Sequence, residues 1–340
     1  MITFTCQGEA FTLNKGQHYG CPREEGFRDT NASDLCALVD EIIQGRPWRK
    51  AVTDRYAIEQ PWLYRIVTDS LRTAFFESVL PQNINGPVLD IGSGWGQTAR
   101  PLASLYPSVV SLEPVSERMA FIRATAVQEK INDHLTFIEA DYFDLEFSTR
   151  FALICAIGVL EWAGTFQGGA EPRQLQLDFL RRTRRDLAPG GSLVLGIENR
   201  LGLKYLLGCP DDHIGVPQVA SLPAESAIRK RRETANSELR CFTYSQLELA
   251  QLLRAAGYTK IEFWAAFPDY KLPTLILPLG DGGKGLNNWL KSNLLPLEHN
   301  GYNGTQLPDT FNVTLRETYG RLANAGSAHH FVPSFFVRAS

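Results

Sequence analysis

An apolar run, Val88 to Ile91, passes directly into Gly92, Gly94 and Gly96. A strand that ends this way offers bare backbone N–H groups to a ligand, and glycines permit a turn that side chains would block. From there strand and helix patterns alternate. Helical spacing covers Gln97 to Tyr106, Ser116 to Glu129 and Gln174 to Leu187. Strand-length apolar runs cover Val109 to Leu112, Leu135 to Ile138, Phe151 to Ile157 and, after a Pro189-Gly190-Gly191 turn, Ser192 to Ile197. Short apolar strands separated by amphipathic helices specify a parallel sheet covered on both faces, so the expected fold class is doubly wound α/β.

Around this centre the pattern predicts an N-terminal extension over residues 1–60, with a helix from Ser33 to Gln44 capped by Ser33, and a domain over residues 61–340. Pro61 to Leu80 reads as one helix beside the sheet. Two polar stretches, at about 200–242 and 268–330, interrupt the alternation and are expected to be insertions forming a substrate lid. Between and after them come a helix from Thr243 to Ala256, a strand from Thr259 to Phe267 and a last strand from Phe331 to Val337.

Composition narrows the function classes. With 44% hydrophobic and 21% charged residues among 340, the chain is of ordinary globular make-up. A formal net charge of -3 supplies no field for nucleic acid, and none is expected as a partner. Cys6, Cys21, Cys36, Cys155, Cys209 and Cys241 form no CxxC pair and read as idle thiols. There is no leader-like N-terminus and no membrane-length apolar run, so a cytoplasmic protein is expected.

The glycines are spaced GxGxG, with Asp90 two residues before the first, which departs from the GxGxxG of dinucleotide-binding loops. Glu113 ends the second strand, where a carboxylate can accept both hydroxyls of a ribose, and Asp141 in EADYFD ends the third, suited to an adenine amino group. At these residues the chain resembles the class I S-adenosylmethionine-dependent methyltransferases. The resemblance implies a Rossmann-like, mostly parallel sheet of seven strands, the last antiparallel, with S-adenosylmethionine as cofactor. It also implies that Gly92, Gly94 and Gly96 contact the methionine and ribose, Asp90 the amino group, Glu113 the ribose, and Asp141 with Tyr142 the adenine. GVLEWAG, Gly158 to Gly164, is similar to the family's segment after the fourth strand, which adds Gly158 to the cofactor set and sets Glu161 or Trp162 toward the sulfonium. Core packing for Trp162 and a helix-start charge for Glu161 are the competing readings.

Two further stretches, IENRLGLKYLLGCPDDH (Ile197 to His213) and FPDYKLP (Phe267 to Pro273), are similar to methyltransferases of bacterial polysaccharide and glycoconjugate biosynthesis. They place His213 as a candidate general base, oriented by Asp211 or Asp212, against the reading of an exposed loop histidine. The expected catalytic set is His213, Asp212 and Glu161. No metal is expected, because adjacent residues such as Asp211, Asp212 and His213 rarely converge on one ion. Arg181 to Arg185 reads as a solvated helix face, and Arg229 to Arg232, inside the first expected insertion, leaves open a contact with an anionic acceptor. The expected activity is O-methylation of a sugar, glycoconjugate or other polar small molecule. An N- or C-methyltransferase, a nicotinamide-dependent oxidoreductase and a non-catalytic cofactor-binding protein are the alternatives.

Overall fold

The computed structural model describes residues 1–23, 25–295 and 310–340. Residues 296–309, part of the second expected insertion, lie outside the described residues.

Along the chain come β1 (Ile2–Cys6), β2 (Glu9–Leu13) and β3 (His18–Gly20), then α1 (Ala32–Ile43), α2 (Trp48–Tyr56), α3 (Pro61–Thr68) and α4 (Phe75–Val79). The central alternation follows as β4 (Val88–Ile91), α5 (Ala99–Leu105), β5 (Val109–Leu112), α6 (Ser116–Gln128), β6 (Leu135–Glu139), β7 (Leu145–Phe147), β8 (Phe151–Ile157), α7 (Pro172–Asp186) and β9 (Leu187–Glu198). The remainder holds α8 (Leu203–Leu206), α9 (Ala224–Ala235), α10 (Gln246–Ala255), β10 (Ile261–Phe267), β11 (Leu275–Pro278), α11 (Lys284–Ser292), α12 (Phe311–Asn324) and β12 (Ser334–Ala339). No described helix is long and apolar enough to cross a membrane.

Two compact units divide these elements, the first built from residues 1–73, 81–157 and 182–193 and the second from 74–80, 158–181 and 194–340. In the first, β8, β4, β5, β6 and β3 lie side by side in that order, and the pairs β4–β8, β4–β5, β5–β6 and β3–β6 are all parallel. β4 and β5 are buried at every residue, as expected of strands covered on both faces. A small antiparallel sheet, β2-β1-β7, accompanies them. In the second unit the order is β11-β10-β12-β9, with β10 antiparallel to both β11 and β12. The fold is thus mixed α/β with a large, mostly parallel sheet; among the described residues β3 joins the first unit's strands and β11 the second's, both at positions where the sequence carries little alternation.

The first unit's helices form a core of their own. Leu35, Leu38, Val39 and Ile42 of α1, with Trp48, Ala51, Val52 and Tyr56 of α2, bury against Phe121 of α6 and Trp95 of the glycine-rich loop. Trp95 is held edge-on by Tyr56 and Phe121, at ring-centroid distances of 5.9 and 4.9 Å, and its indole N–H donates to Asp29 at 3.1 Å.

Several boundaries differ from the sequence reading for local reasons. Asn31 rather than Ser33 precedes α1, and Ser245 rather than Thr243 caps α10. The expected single helix from Pro61 to Leu80 breaks at Asp69, whose extended backbone and Oδ1, accepting from the Leu71 N–H, compete with helix continuation. All six cysteines are free thiols.

Candidate functional site

In the first unit the expected cofactor residues gather at the carboxyl ends of adjacent parallel strands. After β4 the chain turns through Gly92, Gly94 and Gly96 at φ 65, 57 and 76°, left-handed values that only glycine adopts cheaply. Glu113, just past β5 and 2% exposed, accepts from the Gly94 N–H through Oε2 at 2.8 Å and from the Val115 N–H through Oε1 at 3.1 Å. Each oxygen keeps a second lone pair for a hydroxyl. Burial raises the Glu113 pKa against the opposing charge of Arg118.

Asp90, near the end of β4, is buried, and its Oδ2 has no hydrogen-bond partner among the described residues. Burial pushes its pKa up to about 7, although Ser93 and Arg72 pull the other way. Such an oxygen suits a cationic amino group, and together with the bare loop and Glu113 it fits a cofactor carrying an ammonium and a ribose. Beyond β6, Asp141 accepts from the Phe143 N–H at 2.8 Å and pairs with Arg23 at 3.1 Å. Tyr142 is buried, its hydroxyl donating to Asp186 at 2.8 Å.

The second unit holds a different arrangement. Gly158, at φ 72°, donates its N–H to the Gly196 carbonyl at 2.9 Å, and a Cβ there would come within 2.6 Å of the Tyr270 hydroxyl. Glu161 lies in the 3-10 turn Leu160–Trp162, and Glu198 ends β9; both are 0% exposed. Between them sits His213, with a side chain 5% exposed, its Nε2 3.6 Å from Glu161 Oε1 and 3.4 Å from Glu198 Oε2. It is therefore not an exposed loop histidine. Trp162 packs edge-on to its ring at 5.3 Å.

Around this trio lies a charged ring. Asp211 faces His213 Nδ1 at 3.6 Å while its Oδ1 also accepts from the backbone N–H groups of His213 and Ile214. The expected orienting role of Asp212 is thereby corrected: consecutive side chains diverge, and Asp212 instead accepts from Lys204 at 2.6 Å and from the Tyr205 hydroxyl at 3.1 Å. Lys271 donates to Glu198 and lies 3.5 Å from Asp269, and the Tyr270 hydroxyl donates to Glu161 at 3.1 Å.

Electrostatics sort these groups. At Glu198, burial works against the charge but Lys271 and His213 outweigh it, and the carboxyl stays well below its ordinary range. At His213, burial also opposes charge, yet the Cys241 thiol and the Glu198 and Asp211 carboxylates outweigh it and hold the imidazole pKa well above its usual value. Burial raises Glu161, with His213 opposing. Two acids a few ångströms apart are thus driven in opposite directions, a pattern typical of catalytic acid–base pairs.

Sequence reasoning missed Lys204, Asp269 and Lys271. The available signal was charge inside apolar segments: Lys204 interrupts Leu203 to Leu206, and Asp269 with Lys271 follows a strand of buried residues. Asn199 is structural, donating to the carbonyls of His330 at 2.9 Å and Val332 at 2.8 Å. Arg182 leaves the expected solvated face to donate to the Phe143 carbonyl at 2.7 Å.

Residues 88–191 match the methyltransferase domain family, a match that begins at the first residue of β4. The chain is an enzyme, a methyltransferase that uses S-adenosylmethionine as methyl donor. Among solved structures it is similar to a possible histamine N-methyltransferase of Thermotoga maritima, at 14% identity over 86% of this chain and 99% of that one, with a TM-score of 0.41. It is also similar to the CcbJ methyltransferase of Streptomyces caelestis (18% identity, 61% of this chain and 84% of that one, TM-score 0.42). A third is a protein of Nostoc punctiforme assigned as an O-methyltransferase (15% identity, 72% of this chain and 71% of that one, TM-score 0.42). No curated protein sequence gives a significant match.

Proposed function

We propose that this enzyme methylates an oxygen of a polar, hydroxyl-bearing acceptor, a sugar, glycoconjugate or related small molecule. The observation that carries the reading is convergence. The two stretches similar to polysaccharide and glycoconjugate methyltransferases, Ile197 to His213 and Phe267 to Pro273, supply Glu198, Lys204, Asp212, His213, Asp269 and Lys271, and these meet in one buried cluster. A cluster rich in donors and acceptors suits an acceptor with several hydroxyls.

The bound cofactor supplies a methyl group on a sulfonium, with a neutral thioether as leaving group. Asp90 would hold its ammonium, Glu113 its ribose and Asp141 its adenine, while the glycines admit it to the backbone. A hydroxyl of high pKa needs a proton acceptor as its oxygen forms the new bond to the methyl carbon. His213, held protonated, serves as the cationic partner of Glu161, whose raised pKa fits it to take that proton; Lys204, Asp212 and Lys271 fix the surrounding charges. Fixed charges of this kind need no rearrangement as the reaction proceeds.

The test is release of S-adenosylhomocysteine across a panel of hydroxylated sugars and matched amines. Turnover confined to amines would replace the O-methyl reading with N-methylation. Glu161→Gln is expected to lower kcat by about 10²–10⁴-fold, and an unchanged kcat would remove Glu161 as the proton acceptor.

A further inference from the structure

The Glu161–Glu198–His213 trio has features that an acid–base role leaves unexplained. One ligand atom from each residue lies within 4.8 Å of the other two. The separations from His213 Nε2, 3.4 and 3.6 Å, exceed the ~2.7–2.9 Å of a charge-assisted hydrogen bond. They lie close to the ~3.4 Å edge of a tetrahedron whose metal–ligand bonds are ~2.1 Å long. Glu198 Oε2, turned toward His213, and Glu161 Oε2 are both buried and accept no hydrogen bond from any described residue. Buried carboxylate oxygens without donors are costly unless something cationic meets them.

The outer partners complete the pattern. Lys271 takes Glu198 Oε1 and leaves Oε2 free of donors; the Tyr270 hydroxyl takes Glu161 Oε1; Asp211 faces the far nitrogen of His213. A carboxylate behind the imidazole and a donor on the far oxygen of Glu198 is how metal ligands are commonly oriented, while Tyr270 shares the Glu161 oxygen that faces His213. The neighbouring trio Glu198, Asp212 and Asp269 lacks this character, because Lys204 at 2.6 Å from Asp212 and Lys271 at 3.5 Å from Asp269 already match its charge.

We infer that Glu161, Glu198 and His213 form a binding site for a single divalent first-row metal ion. One imidazole nitrogen and two carboxylates suit manganese, iron or zinc, and three protein ligands leave coordination positions for oxygen donors. The ion takes the place of the imidazolium proton, so in the metal-loaded enzyme His213 and Glu161 are ligands, and the proton-accepting role of Glu161 belongs to the ion-free enzyme. The inference rests on the second unit's geometry and not on the choice of acceptor.

The experiment titrates the chelator-treated full chain with Mn²⁺, without donor or acceptor, following free ion by electron paramagnetic resonance. One ion per chain is expected, with electron spin-echo modulation from one directly bound imidazole nitrogen. Glu161→Gln and His213→Gln should each weaken binding at least tenfold, while Glu9→Gln, at an exposed strand position, should not. Absence of binding at millimolar Mn²⁺, absence of the nitrogen modulation, or equal binding by both variants would overturn the site and leave an adventitious ion only. The modulation is read on the unaltered protein, so a misfolded variant cannot decide the matter. Failure here leaves O-methylation standing, and failure of hydroxyl turnover leaves the metal site standing.

Discussion

Asp90 shows how far burial alone can move a single group. Its pKa of about 7 lies above the ordinary 3.8, so the folded chain keeps a proton that the unfolded chain releases between these values. The contribution is fully present below about pH 4 and is lost as pH rises through 7, a change of up to about 4 kcal/mol. Without cofactor, urea unfolding should therefore show Asp90→Asn more stable than the parent at pH 8 and similar at pH 4. On the proposed role of Asp90 the sign reverses with cofactor, because the ionised carboxylate is the form that attracts an ammonium. Calorimetry should find S-adenosylmethionine binding tighter at pH 8 than at pH 6, and Asp90→Asn weak and insensitive to pH across that range. Gly158 makes a steric prediction: Gly158→Ala forces a Cβ to 2.6 Å from the Tyr270 hydroxyl at a left-handed φ, and a loss of about 1–3 kcal/mol should appear in the melting temperature. The motif residues Asp90, Gly92, Gly94, Gly96, Glu113 and Asp141 were legible because each is named by its place at a strand end. Trp95, inside the same motif, gave no hint that it plugs the helical core, since its partners Tyr56, Phe121 and Asp29 lie far off in sequence.

Among the elements, α10 is the clearest case of local chemistry fixing a boundary. Ser245 accepts from the Glu248 N–H, and the Glu248 carboxylate accepts from the Ser245 N–H at 2.8 Å and from Arg200. At Glu248, burial raises the pKa but Arg200 and Ser245 outweigh it, bringing the carboxyl down to about 2. A depressed carboxyl contributes stability above its ordinary pKa and loses it as pH falls through 2. Ser245→Ala should cost about 0.5–2 kcal/mol near neutrality in denaturant titrations. Glu248→Gln should likewise destabilise at pH 7, with the deficit shrinking as pH drops from 4 toward 2. Helices and strands of the central alternation were readable because burial on one face or both leaves a periodic trace. β3 and β11, short strands without such a trace, join by backbone pairing, which composition does not encode.

For the whole molecule, cofactor binding and the N-terminal helices are two contributions to stability that can be tested. A ligand held only by the folded chain adds about 2.7 kcal/mol at a hundredfold excess over its Kd. S-adenosylmethionine should accordingly raise the melting temperature, and NAD should leave it unchanged. Residues 1–60 supply Leu35, Leu38, Val39, Ile42, Trp48, Ala51, Val52 and Tyr56 to the first unit's helical core. Removing them strips the cover from Trp95 and Phe121, and the shortened chain should aggregate or melt well below the parent. The sequence by itself determined the α/β class, the cofactor and the strand ends that hold its candidate residues, because a glycine loop and strand-terminal acids are local in the chain. Only the tertiary structure decided which charges meet. Glu161, Glu198, His213 and Lys271 come from separate segments, and only burial in one place sets their partners and pKa values, assigning Asp211 rather than Asp212 to His213.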